Sequence, residues 1–204
     1  MKIKVCGLKD PKNMLAIDEM QPDFLGLIFY EKSPRYYSHN TIPDSKAKKV
    51  GVFVNENEEI IENMVGEFGL YYIQLHGNEP IEIVKSLYQK GFKIIKAFSI
   101  FDNVDNEMLK QYEPYCSYFL FDTKGKHAGG NGVKFDWNVL NNYTLSTPFF
   151  LSGGIQPNDV SAIKAITHTA LAAIDINSGF EIAEGIKNIE LVKKFIDDIR
   201  SNKT

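Results

Sequence analysis

Short apolar runs alternate with amphipathic stretches from one end of the chain to the other, and this alternation limits the fold more than any other feature. Runs such as 24–29 and 148–151 are almost continuously apolar, which suits strands covered on both faces. Strands are predicted at 3–5, 24–29, 50–54, 71–75, 93–98, 118–121, 148–151 and 172–176. Helices are predicted at 11–20, 56–68, 79–90, 106–112, 157–166 and about 189–199, with a short one opening at Phe135-Asp136-Trp137. The punctuation agrees: Asp10 caps, Pro11 takes the first helical position, and Gly91 closes the helix before it. Residues 33–49 are polar, contain Pro34 and Pro43, and have room for a short helix at most. Eight strand–helix units without a linker predict one α/β domain over residues 1–204, a single (β/α)8 TIM barrel with a shortened second helix region. An open doubly wound sheet is the alternative. No G-x-G-x-x-G follows the first strand, which weakens its dinucleotide-binding form.

Composition narrows the function classes. With 44% hydrophobic and 24% charged residues the chain has an ordinary globular make-up, which argues against disorder. A net charge of -3 leaves no basic footprint for nucleic acid, so an anionic substrate has to be held by local cations and backbone N–H groups. Cys6 and Cys116 are too few for a disulfide framework and fit a reducing compartment. The N-terminus enters a strand at once, without the pattern of a signal peptide, and no apolar run approaches membrane-spanning length. The expectation is a cytoplasmic protein with no membrane partner.

In a barrel the C-terminal strand ends share one mouth. In chain order they bring Cys6, the Ser33-Pro34-Arg35 loop, Asn55, His76, Asp122, Gly153-Gly154, and Asp175 with Ser178-Gly179. Cys6 is either a reactive thiol or a small core residue. The glycine turns after strands seven and eight expose N–H groups where barrels often bind phosphate, although glycines also serve simply as tight turns. Asp122 ends an aromatic strand, where a carboxyl can be kept as a proton donor, and its alternative is a cap or a loop salt bridge. Arg35 could grip a carboxylate bidentately or lie on the surface. Gln74 shares a face with His76 and points into the barrel, where it needs a partner. No C-x-x-C, H-x-x-x-H or H-E-x-x-H spacing supports a metal, and no Ser-His-Asp elbow is present. Cys116 reads as structural, and His39, His127 and His168 show no usable pattern.

Nine short segments stand in order and at compatible spacing: Lys4-Val5-Cys6-Gly7, Ser33-Pro34-Arg35-Tyr36, Gly51-Val52-Phe53-Val54-Asn55, Gln74-Leu75-His76-Gly77, Phe121-Asp122-Thr123, Gly129-Gly130-Asn131-Gly132, Phe135-Asp136-Trp137, Leu151-Ser152-Gly153-Gly154 and residues 175–181. Together they resemble the phosphoribosylanthranilate isomerase family of tryptophan biosynthesis. The resemblance implies a (β/α)8 barrel without cofactor or metal. Its reaction is the Amadori rearrangement of N-(5-phosphoribosyl)anthranilate to 1-(2-carboxyphenylamino)-1-deoxyribulose 5-phosphate. It also implies Cys6 as general base, Asp122 as general acid, and Arg35 at the anthranilate carboxylate. Gln74, His76 and Asp175 complete the substrate contacts, and Gly130, Gly153, Gly154, Ser178 and Gly179 form the phosphate site. The glycine loop 129–132 is a candidate lid. Asn131 and Asn177 depart from the residues commoner at their places, and residues 36–50 are short for a full second helix. The expected partner is a small phosphorylated molecule, and the assembly a monomer or homodimer. The competing enzymes on this fold are indole-glycerol-phosphate synthase, for which Lys96 would be an isolated catalytic lysine, and a sugar-phosphate epimerase, which would need a metal set. A barrel that only binds phosphate is the non-enzymatic alternative, and the presence of both Cys6 and Asp122 argues against it.

Overall fold

The computed structural model describes residues 1–123 and 135–201. Eight parallel strands close into a barrel in sequence order: β1 (Lys2–Val5), β2 (Phe24–Ile28), β3 (Lys48–Phe53), β4 (Tyr72–Leu75), β5 (Ile94–Ile100), β6 (Tyr118–Thr123), β7 (Phe149–Leu151) and β8 (Leu171–Ile176). The seam is a regular parallel ladder in which Lys2, Ile3, Lys4 and Val5 face Ala173, Ile174, Asp175 and Ile176. The expected barrel is therefore the observed one.

Outside it lie α1 (Pro11–Asp18), α2 (Glu58–Phe68), α3 (Ile81–Gln89), α4 (Asn106–Tyr112), α5 (Val160–Lys164) and α6 (Ile189–Arg200). Local chemistry starts them: Asp10 accepts from the Asn13 N–H at 2.7 Å, and Asn188 accepts from Leu191 at 3.2 Å. α6 buries Val192, Phe195, Ile196 and Ile199, an i, i+3, i+4, i+7 stripe against the barrel. None of the described helices is long and apolar enough to cross a membrane.

Three segments differ from expectation. No helix forms between β2 and β3. Residues 29–47 instead run over the barrel as turns, because the buried Tyr37 anchors them, packing on Phe29 and Phe68 and donating to the Thr41 carbonyl at 2.6 Å. The helix predicted at 157–166 divides into a 3₁₀ turn, Pro157–Asp159, and the short α5. The helix opening near Phe135 is a 3₁₀ helix, Trp137–Asn142, capped by Asp136. After β8, a 3₁₀ turn (Ser178–Phe180) leads into a small antiparallel hairpin, β9 (Glu181–Ala183) and β10 (Ile186–Lys187).

Two cores sandwich the sheet. The larger lies between strands and helices. The smaller fills the barrel with Phe24, Val50, Tyr72, Ile95, Leu120 and Phe150, and Phe24 and Phe150 meet with ring centroids 5.1 Å apart. This plug makes the barrel a packed core whose mouth alone is open to chemistry. Phe150→Ala removes a ring that contacts Phe24 and Tyr118 and should destabilise the fold by about 3–5 kcal/mol in denaturant titration. A loss under about 1 kcal/mol would mean that the plug collapses to fill the gap.

Candidate active site

At the C-terminal ends of the strands lies an open cavity lined by Cys6, Gln74, His76, Asp122, Gly153, Gly154, Asp175, Asn177 and Ser178, together with Ser33, Tyr30 and Ser152. The strand ends thus bring together most of the predicted candidates. Arg35 and Gly179 are not among the lining residues, and Gly130, with the glycine loop 129–132, lies outside the described residues.

Asp122 and His76 form one side. His76 Nε2 lies 3.2 Å from Asp122 Oδ2, and the Thr123 N–H donates to Oδ1 at 2.8 Å. Gln74 Nε2 approaches His76 Nδ1 at 2.7 Å, so with the amide donating, the imidazole carries its hydrogen on Nε2, aimed at the carboxyl. The partner expected for Gln74 is therefore His76. The amide's other end, Oε1, is buried with no hydrogen-bond partner among the described residues.

Cys6 and Asp175 form the other side. β1 alternates, so Lys4 and Cys6 share the inner face. Lys4 is fully buried, and its Nζ donates to both Asp175 oxygens at 3.1 and 3.0 Å. Burial, with Asp175 behind it, holds the Cys6 thiol above its ordinary range, and Lys4 opposes that in part. Lys4 keeps its proton: burial alone works against the charge, but Asp175 and then Cys6 outweigh it. Opposite Cys6, Gly26 leaves room that a Cβ would take, 2.7 Å from the sulfur.

The turn after β7 needs its glycines. Gly153 has φ +89° and Gly154 φ +65°, and a Cβ on Gly153 would fall 2.3 Å from Thr123 Oγ1 and 2.8 Å from Asp122 Oδ1. Gly179 packs against the Ile155 carbonyl and so joins the turns after β7 and β8.

Arg35 is engaged elsewhere. Its Nε and Nη2 form a fork on Glu181 at 2.9 and 2.7 Å, and Lys187 Nζ meets the same carboxylate at 2.6 Å and Asn177 Oδ1 at 2.7 Å. Lys96, the isolated candidate for a synthase, bonds Glu79 at 2.9 Å and the Gly77 carbonyl at 2.8 Å, and is buried. Glu79 in turn accepts from the Asn55 and Gly77 N–H groups, so this pair fixes the loop that presents His76. The sequence assigns no role to Lys4, Glu79, Glu181 or Lys187, although Lys4 and Glu181 lie in segments that carry the family resemblance. A lysine two residues before Cys6, on the inner face of a barrel strand, was the available signal. Among the described residues no three His, Cys, Asp or Glu side chains cluster as metal ligands would.

A closed parallel barrel with Cys6, His76 and Asp122 at its mouth and glycine turns after β7 and β8 has the architecture of the (β/α)8 enzyme class. A profile of the N-(5'phosphoribosyl)anthranilate (PRA) isomerase family matches residues 3–198. The N-(5'-phosphoribosyl)anthranilate isomerase of Parabacteroides distasonis is 43% identical over 206 residues, covering 98% of this chain and 93% of that one. The isomerase of Phocaeicola vulgatus is 43% identical over 202 residues, covering 98% of both. A crystal structure of phosphoribosyl anthranilate isomerase in complex with reduced 1-(o-carboxyphenylamino)-1-deoxyribulose 5-phosphate superposes with a TM-score of 0.79 at 30% identity, covering 98% of both chains. The chain belongs to the N-(5'-phosphoribosyl)anthranilate isomerase family.

The Glu181 cluster carries a pH signature. Burial opposes its charge, but Arg35 and Lys187 together hold the carboxyl below the usual range. A depressed folded value contributes stability above the unfolded value, near pH 4.3, that is lost as pH falls through the folded one. Glu181→Gln should therefore lower the thermal midpoint at neutral pH and make the loss into acid shallower. An acid limb as steep as in the wild type would take Glu181 out of it.

Proposed function

We propose that Cys6 and Asp122 carry the general base and general acid of the Amadori rearrangement of N-(5-phosphoribosyl)anthranilate, the reaction of this family in tryptophan biosynthesis. The observation that carries this assignment is their placement. Both face one cavity, from strands three steps apart around the barrel, with the Gly153-Gly154 turn between them.

In the first step Asp122 gives its proton to the ring oxygen. The bond from that oxygen to C1 breaks, and the anilino nitrogen's lone pair forms a protonated imine. The carboxylate left behind is received by the His76 and Thr123 N–H groups already aimed at it. In the second step the Cys6 thiolate takes the proton from C2, and the C–H electrons flow toward the imine and neutralise it as an enolamine. A proton gained at C1 and one lost from O2 complete the ketone. The imine's positive charge appears when the base has to act, which lowers the barrel's penalty on a buried anion.

The phosphate is held by N–H groups of the Gly153-Gly154 turn, with the Ser178 hydroxyl beside them and Gly179 keeping the two turns in contact. Gly130 belongs to the same set by its place in the sequence. Binding so far from the reacting carbons supplies orientation. Arg35 meets the anthranilate carboxylate through the edge that Glu181 does not use, Gln74 and His76 position the substrate near Asp122, and Asp175 lies at the sugar. The chain acts as one catalytic domain over 1–204, in the cytoplasm, as a monomer or a homodimer, which sedimentation separates by mass.

The test follows the fluorescence of freshly generated phosphoribosylanthranilate, whose anthranilate ring loses most of its signal in the product. Cys6→Ala and Asp122→Asn should each lower kcat about 10²–10⁴-fold. Calorimetric binding of the reduced product analogue should persist in both. Full turnover in either variant would remove that residue from its role.

A further inference from the structure

We infer that Lys4 is the residue that readies Cys6: its buried ammonium, held in place by Asp175, supplies the positive charge against which the thiol sheds its proton. This rests on the reading of Cys6 as the base, and it assigns Asp175 a role besides substrate contact.

The placement comes first. Lys4 and Cys6 are two apart on β1, so both side chains point into the barrel. Asp175 is the register partner of Lys4 across the seam, and it lines the cavity together with Cys6. Lys4 has no exposed surface at all, and Asp175 and Cys6 are each 5% exposed. A lysine is almost never buried to that degree unless it is paired. Pairing alone does not explain its presence, because an apolar residue of similar volume usually serves a core as well as a buried ion pair does. A cation beside a thiol that has to ionise is a reason for keeping it.

The need is visible in the same place. Cys6 sits where water is scarce, and burial is the largest influence holding its proton on. Lys4 is the strongest influence in the opposite direction, chiefly through its charge. Asp175 opposes ionisation of the thiol, but it also anchors the ammonium by two hydrogen bonds. The other charged groups near Cys6 are mostly committed. Lys187 is bound to Glu181 and Asn177, and Arg35 is bound to Glu181. Asp122 and His76 act on Asp175, and β2 carries no charged side chain, with Gly26 opposite the sulfur.

The balance is simple. The S–H bond breaks with its electron pair on sulfur, and the proton leaves to solvent through the open mouth. Only the thiol changes protonation in this step: Lys4 is the ammonium and Asp175, which burial pushes up and Lys4 pulls down, is the carboxylate that accepts its two hydrogen bonds. The ionised trio carries one net negative charge, which matches the cationic imine that forms next to it.

The experiment uses the full chain in a Cys116→Ala background, so that Cys6 is the only thiol, and follows alkylation by iodoacetamide as a function of pH. Lys4→Met should raise the midpoint of the alkylation profile by about one pH unit or more, and Asp175→Asn should lower it. Lys4→Arg should restore most of the wild-type midpoint. The double variant Lys4→Met/Asp175→Asn leaves no orphaned charge and should still rise, by less. In the fluorescence assay Lys4→Met should lose at least about tenfold in kcat at neutral pH, with KM little changed. A merely structural lysine would leave the midpoint alone or move it the same way in both single variants, and either result overturns the inference. The two readings fail separately. Turnover by Cys6→Ala sinks the base assignment, whereas a dead Cys6→Ala with unmoved midpoints in the Lys4 variants sinks only the role of Lys4.

Discussion

Everything at the mouth depends on the closure of the sheet between β1 and β8. Four consecutive register pairs join these strands, and the buried Lys4–Asp175 ion pair lies on the seam. Closure removes both sheet edges and forces every second side chain inward. Because the bottom of that interior is filled by aromatic rings, the buried polar side chains inside the barrel, Lys4, Gln74 and Asp175 among them, lie above it, toward the C-terminal ends. The chemistry is thus confined to one end of the barrel by packing before any residue there is chosen for its reactivity.

The polar groups that do go inside are held in pairs or small clusters. Lys4 has Asp175, Lys96 has Glu79, and Lys187 shares Glu181 with Arg35. Leaving one member of such a pair unpaired in a dry interior costs about 3–5 kcal/mol, which makes each pair an all-or-nothing arrangement. Each also organises backbone near the site. Glu79 gathers the Asn55 and Gly77 N–H groups below His76, and Glu181 pulls Arg35 and the β9–β10 hairpin toward the end of β8. A rigid rim follows from these bonds although the rim is built of loops.

The barrel and the acid/base candidates were legible in the sequence because each has a local signal: apolar runs between amphipathic stretches, and reactive residues at run ends. Gln74 was legible for the same reason that Lys4 was not. A glutamine two residues before His76 in an apolar run stands out, whereas Lys2-Ile3-Lys4 reads as the ordinary alternation of a half-exposed strand. Only the closed barrel shows that the two lysines differ: both share the inner face, but Lys2 is exposed at the N-terminal end and Lys4 is fully buried. Arg35 could not be placed at all from its surroundings, since its partner Glu181 is 146 residues away. The missing second helix was half legible. Two prolines argued against it, but the anchoring of that segment by Tyr37 depends on tertiary contacts with Phe29 and Phe68.

Acid and base chemistry at one pH requires two groups whose surroundings differ, and the two sides of the mouth supply that difference. Asp122 keeps 14% of its side chain exposed and accepts from two N–H groups, an environment suited to the carboxylate that the proposed proton donation would leave. Cys6 lies deeper, where burial favours the neutral thiol, and a cation is needed to oppose it. If the two residues exchanged places, each would meet the wrong solvent. A thiol at position 122 would find His76 and a backbone N–H but no fixed cation. The residue types therefore follow from where the closed sheet places water and charge.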